Sequence, residues 1–439
     1  MRSTVSRVSI LFVGALFASS AQAQFDKLSN LIPDFFDRTV VLFPAGHEAH
    51  FVDSSDLIRD AGNRVNSSIV TQLSTFPIGT SAGGFTFEFD EELGIFERTT
   101  TTFGSVFAER GETIGKGKWN FGFNTFSVEY DAIDDLDLRN GDISFSLTHL
   151  DTNNDGTTVE TFFEGDLIDV QARLLLSTDT TTFFGNYGVT ENFDIAVAVP
   201  LVSVDLGVQL DQSIQRFASE GFSDPPFHRF PDGSDEQRDV IRASASGIGD
   251  VLVRAKYNLL RQEHGALALA LDVRLPTGDE EDLLGTGTTQ SKLFFIGSTR
   301  FGKFAPHVNI GYTYSGSGND TVGDLPDEFN FTTGFSLGVH PKVTVFADLV
   351  WRTLLDAQQI DRRELTHLYK RWDSTVIEQT SRQVLDTRQQ DLNIASASIG
   401  LKVNIVGDLL FSANLSFSLS DEGLRDEDII PLIGIDYSF

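Results

Sequence analysis

From Trp119 to the end, apolar and polar residues alternate with a period of two. Leu267, Leu269, Leu271, Val273 and Leu275 share one face. So do Phe329, Phe331, Thr333, Phe335, Leu337 and Val339, and so do Val343, Val345, Ala347, Leu349 and Trp351. Near the carboxy terminus Leu409, Phe411, Ala413, Leu415, Phe417 and Leu419 oppose Leu410, Ser412, Asn414, Ser416 and Ser418. This period predicts strands with one oily and one polar side. Between Phe193 and Leu210 the apolar phase slips after Pro200, which predicts a bulge at the proline.

Turn signals between the strands fall into two kinds. Short connections sit at Thr190-Glu191-Asn192, Gln262-Glu263-His264, Gly302-Lys303, His340-Pro341 and Val406-Gly407. Long ones run over 211–245, 276–289, 317–327, 356–389 and 420–428, and the two kinds alternate strictly. Strands beginning near Trp119, Leu167, Phe193, Gly247, Ala266, Ser291, Phe304, Glu328, Lys342, Asp391, Asp408 and Ile429 predict an all-β chain. The expected fold is a transmembrane antiparallel up-and-down β-barrel of about 12 strands, within a range of about 12–14, with tight periplasmic turns and long outer loops. Residues 24–117 do not sustain the alternation. Leu28, Leu31, Ile32, Phe35 and Phe36 have helix-like spacing, and Phe85, Phe87 and Phe89 hint at one hairpin. This partly helical, irregular segment could lie in the periplasm, plug the lumen or add two strands.

The start of the chain supports export. Arg2 and Arg7 precede an apolar core from Ile10 to Phe17 and then Ala21-Gln22-Ala23, so residues 1–23 read as a secretory signal peptide. That leaves 24–117 as the amino-terminal segment and 118–439 as the barrel. No later stretch has the roughly 18 uninterrupted apolar residues of a membrane helix. There is no cysteine, which excludes disulfides and thiolate metal sites. The 38 Phe and 38 Gly against 1 Met and 12 Pro favour strands and turns. A mean hydropathy of −0.08 is what alternating faces give on averaging. The formal charge of −30 excludes nucleic acid as a natural partner.

The polar faces of the strands carry charges of both signs: Asp169, Arg173, Asp194, Asp205, Asp250, Arg254, Lys256, Asp272, Arg274, Lys292, Arg300, Asp348, Arg352, Lys402 and Asp436. On a soluble sandwich they would be the wet face. In a barrel they line the lumen and pair across strands. In the first outer loop Asp151, Asn153, Asp155 and Gly156 have the spacing that begins a calcium loop, but Phe162 stands where the twelfth-position glutamate belongs. Calcium there is the single cofactor to consider, and a plain turn is the competing reading. His307 and Ser315 share a face some 25 Å apart at strand rise, too far for catalysis. His47 and His50 lack a matching carboxylate set. No catalytic constellation emerges, and no enzyme is expected.

Several stretches resemble the outer-membrane family named for the MetA pathway of phenol degradation. They are Phe76-Pro77-Ile78-Gly79-Thr80 with Gly83-Gly84-Phe85, Phe107-Ala108-Glu109-Arg110 with Ile114-Gly115-Lys116-Gly117, Tyr187-Gly188-Val189-Thr190, Gly247-Ile248-Gly249-Asp250, Lys256-Tyr257, and Leu275-Pro276-Thr277-Gly278-Asp279. The resemblance implies an outer-membrane barrel of a Gram-negative bacterium and a transporter-like role for small hydrophobic or aromatic compounds. It transfers no catalytic residues. The expected partners are outer-membrane lipid and lipopolysaccharide, the barrel assembly machinery, and a small hydrophobic solute. Tyr437 and Phe439 fit the terminal aromatic signal read by that machinery. The alternative kept beside this is a non-transporting surface barrel for adhesion, binding or envelope structure.

Overall fold

The computed structural model describes residues 27–32, 42, 50–51, 62–63, 65–71, 84–90, 95–98, 102–154, 156–159, 163–318, 323–426 and 428–439. The signal peptide, Phe35, Phe36, His47, Asp155, Phe162 and the stretch 76–83 lie outside them. Twelve strands form the wall: β1 Trp119–Tyr130, β2 Leu167–Thr190, β3 Phe193–Gln215, β4 Val251–Gln262, β5 Gly265–Leu275, β6 Gln290–Thr299, β7 Phe304–Ser315, β8 Glu328–His340, β9 Val343–Lys370, β10 Ile377–Val406, β11 Leu409–Ser418 and β12 Ile430–Ser438. Each pairs antiparallel with its sequence neighbours, including β1 with β2 and β3 with β4 across their long connections. The ring closes where β12 pairs with β1, from Leu432↔Phe126 to Ser438↔Asn120. The closed ring leaves no open strand edge in the wall, as a hydrocarbon environment demands.

The residues predicted to face lipid do point outward. Leu267, Leu271, Leu275, Phe329, Phe335, Trp351, Ile433, Tyr437 and Phe439 are exposed on the outer surface of the chain. Aromatic rings gather at the short-turn end, where Trp119 stacks on Phe121 at 5.4 Å and Phe439 lies 5.8 Å from Tyr437. Tyr312, Tyr314 and Trp351 are exposed nearer the other end. Such belts mark the two interfaces of a spanning barrel.

Crossing a bilayer takes about 9–11 strand residues, yet β2, β3, β9 and β10 have 24, 23, 28 and 30. The surplus corrects two expected loops. The β9–β10 connection is a hairpin paired out to Lys370↔Ile377, and the β3–β4 connection returns as a strand, Glu236–Ile248, paired along β3. These sheets project above the wall and meet there. Gln383 N donates to Ser146 Oγ at 3.1 Å, His367 Nε2 to Gly165 O at 3.0 Å, and Trp372 Nε1 to Glu220 O at 2.7 Å.

No bulge occurs at Pro200. Val199, Pro200 and Leu201 continue in unbroken register against Phe183, Thr182 and Thr181. The slip lies on the other neighbour, where Ala198↔Leu252 gives way to Leu201↔Ile248 around Gly249 and Asp250. The apolar phase changes because the surroundings change. In the wall the oily face looks out to lipid; above it water lies outside, so Val202, Val204, Leu206, Val208 and Leu210 look inward and form a buried core. Into that core pack Leu28, Leu31, Ile32, Val65 and Ile69 of the amino-terminal segment. A short helical turn at Leu28–Asn30 agrees with the helix-like spacing, and Phe87–Asp90 pairs with Ile95–Arg98 as the hinted hairpin.

Candidate functional site: a plugged, charged lumen

Described parts of the amino-terminal segment meet the barrel at both of its ends. At the long-connection end Lys27 Nζ lies 2.6 Å from Asp279 and 3.1 Å from Asp282, in the β5–β6 loop. These carboxylates hold the Lys27 ammonium well above its usual range, and Lys27 in turn holds Asp279 below the carboxylate range. None of the three expected placements covers this outer anchorage. Residues 102–117 lie in the lumen on its short-turn side: Phe103 N donates to Thr344 Oγ1 at 3.0 Å near the start of β9, and Gly117 N to Gly188 O at 2.7 Å near the end of β2, just before β1 begins. The packing is tight: a Cβ on Gly188 would stand 1.8 Å from Gly115 O.

A chain without regular structure must find other partners for its backbone groups, and lumen side chains supply them. Asp348 Oδ2 accepts from Val106 N and Phe107 N at 3.2 and 3.1 Å. Lys402 Nζ donates to Ser105 O at 2.9 Å, Asn309 bonds both backbone groups of Glu109, and Asn258 donates to Gly111 O. Asp194 accepts from Ile114 N at 3.0 Å, and Asp436 from Gly84 N at 3.3 Å. At the centre the Glu109 carboxylate is clasped by Arg254 at 2.7 Å and Lys256 at 2.8 Å, with all three side chains buried or nearly so. Arg254 also forks onto Asp272, its cross-strand neighbour, at 2.6 and 2.7 Å.

Above Glu109 the lumen opens into a cavity of about 110 Å³. Its wall holds Arg254, Asp272, Arg274, Lys292, Glu328 and Arg352, with Phe107, Leu252, Phe294 and Val350 as apolar patches. Arg352 pairs with Glu328 at 2.8 Å. A second cavity of about 70 Å³ shares Phe107, Val350 and Arg352 with the first and reaches Val128, Tyr130 and Ile430.

The lumen candidates therefore separate by task. Arg254, Asp272, Arg274, Lys292 and Arg352 face the cavity; Lys256 and Asp348 hold the plug. Asp250 accepts from Gly278 N and Thr286 N and fastens the β5–β6 loop. Four placements need correction. Asp169 and Arg173 lie on the part of β2 above the wall, where Asp169 accepts from Ser146 Oγ at 2.6 Å and Arg173 pairs with Asp211, so neither lines the lumen. Arg300 sits at the short-turn rim, donating to Glu263 O at 2.8 Å. Asp205 is exposed for the same reason as Arg173: in the projecting sheet the outward face is the wet one.

Glu109 and Glu328 were missed by the charge survey. Glu328 was accessible from parity, since Phe329 faces out and the preceding residue must face in. Glu109 lies in a stretch with no period, and its only signal was the Phe107–Arg110 piece of the resemblance.

In the first outer excursion Asp151 Oδ2 accepts from Gly156 N at 2.7 Å, which is turn geometry. Among the described residues no group of three or more His, Asp and Glu is arranged to hold a metal ion. His149 does lie between His50 and His228 with ring centroids 5.0 and 5.6 Å away, and His228 Nδ1 is 2.8 Å from Asp166 Oδ2, in the projecting core.

Residues 149–364 match the family described as "Putative MetA-pathway of phenol degradation". The match bears out the resemblance and leaves the pieces between Phe76 and Gly117 outside it. No curated protein matches the chain. Among solved structures it is similar to the COG4313 outer membrane channel from Pseudomonas putida F1, with 11% identity over 75% of this chain and 98% of that one, at a TM-score of 0.45. It is also similar to the translocator domain of autotransporter NalP from Neisseria meningitidis (11%, 74% and 89%, TM-score 0.30). A third likeness is to the toluene transporter TbuX from Ralstonia pickettii (10%, 74% and 89%, TM-score 0.25).

Proposed function

Starting from a closed twelve-strand barrel whose residues 149–364 carry the match to the MetA-pathway family, we propose an outer-membrane channel for small hydrophobic or aromatic compounds. The observation that carries this reading is the lumen cavity, walled by both charge and aromatic carbon and standing above a segment held by side chains rather than by sheet. Lipopolysaccharide resists apolar solutes, and a lumen of mixed lining offers them a route. A plug fastened by a few ion pairs can shift without disturbing the wall. No reaction is assigned to the chain.

The test is uptake of small aromatic solutes into liposomes carrying the folded barrel. Uptake above that of empty liposomes is expected, and a folded barrel as inert as empty liposomes rejects the proposal. A second reading, a non-transporting surface barrel, has one observation in its favour: the plug and the projecting core fill both ends of the lumen. It requires that loosening the plug leave uptake at the empty-liposome level.

A further inference from the structure

Most charges around the cavity are spoken for. Asp272 is engaged by Arg254, Glu328 by Arg352, and Glu109 by Arg254 and Lys256. The nearby Asp250 has both oxygens occupied by Gly278 and Thr286 of the β5–β6 loop. Arg274 and Lys292 face the same cavity and form no hydrogen bond or ion pair with any of these carboxylates. Their positions are diagonal on adjacent strands, since Arg274 stands opposite Gln290 and Lys292 opposite Asp272. Diagonal neighbours are roughly 7–8 Å apart, a gap that two long cationic side chains can close on one small anion. Beside them is apolar surface: Phe107, Phe294, Leu252 and Val350 line the cavity, and Lys292 Nζ lies 5.1 Å from the Phe294 ring centre.

Resting on the reading of the lumen as the solute route, we infer that this cavity is a binding site for a small organic monoanion, a carboxylate on an aromatic or short aliphatic body. The Arg274 guanidinium takes the carboxylate by its two-donor edge, Lys292 supplies the second cation, and the body lies against Phe107 and Phe294. A neutral hydrocarbon would leave both cations unmatched. A dianion would exceed the local charge, because the cavity wall holds Arg254, Arg274, Lys292 and Arg352 against Glu109, Asp272 and Glu328.

The experiment is calorimetric titration of the folded, full-length barrel in detergent with benzoate and with benzyl alcohol, its neutral analogue. Benzoate is expected to bind at least about tenfold more tightly, a difference of about 1.4 kcal/mol. The double variant Arg274→Gln, Lys292→Gln should lose that advantage while keeping its benzyl alcohol affinity, with folding checked by heat-modifiable migration. Equal affinity of the wild type for the two ligands, or undiminished benzoate binding by the folded double variant, overturns the inference. If the double variant does not fold, the wild type decides: rising salt should weaken benzoate binding and spare benzyl alcohol, and equal salt responses overturn the site. Binding in detergent needs no passage, so benzoate binding without liposome uptake would reject the channel and leave the site standing.

Discussion

Glu109 shows how one side chain can hold a segment in place. Its carboxylate is all but buried and bridges Arg254 and Lys256, two cations rooted on the same wall strand. Removing one member of a buried ion pair leaves charge behind without a counter-ion, at a cost of about 3–5 kcal/mol. Asp272 still serves Arg254 in its absence, so the wall should survive and the plug should carry the loss. Glu109→Gln is therefore expected to keep normal heat-modifiable migration while raising conductance in planar bilayers. Unchanged conductance in a folded variant would show that the plug does not limit the path.

At the scale of elements, β9 pairs with β8 and β10 with β11 for only part of their length, and beyond that the two pair with each other and dock against the β2–β3 side. His367 makes one of those contacts, with Nε2–H donating to Gly165 O. Burial pushes its imidazole below the ordinary range, partly offset by that bond. A folded value below the unfolded one means the unfolded state binds the proton first. The contact's stability is then fully present above about pH 6.5, the ordinary imidazole value, and is lost as pH falls through the lower folded value. Trp372, docked through Glu220 O, reports on this hairpin. Its fluorescence should shift toward that of solvent-exposed indole on acidification, and His367→Gln should flatten that response. A response identical in the variant would place the titrating group elsewhere.

For the whole molecule the critical event is closure of the ring. Trp119 and Phe439 exchange both backbone hydrogen bonds at 2.9 Å, and the Phe439 ring lies 6.1 Å from that of Phe121. Losing Phe439 removes a side chain worth about 1.5–3 kcal/mol of burial and frays the β12–β1 seam, where no edge can stay unpaired in lipid. Deletion of Phe439, or Tyr437→Ser with Phe439→Ser, should leave export intact and reduce the folded protein recovered from the outer membrane. Membrane levels equal to wild type would show that the terminal aromatics are not needed for assembly.

Sequence alone determined the wall. Because side chains alternate strictly along a strand, Leu267, Phe329 and Ile433 had to face one way and Arg254, Asp272 and Arg352 the other, and loop parity supplied the direction of each strand. Periodicity cannot report where the surroundings of a face change. Val202 and Val204 looked like a register slip at Pro200, whereas β3 leaves the membrane there and its oily side turns from lipid to a core; Asp169 and Arg173 were misplaced by the same inversion. Tertiary structure alone decided the plug, since Glu109, Gly115 and Phe103 have no period and owe their positions to Lys256, Gly188 and Lys402, all 70 or more residues away in the chain. It also decided which lumen charges are engaged and which stay open to the cavity, because pairing depends on distances across a closed ring that no single strand encodes.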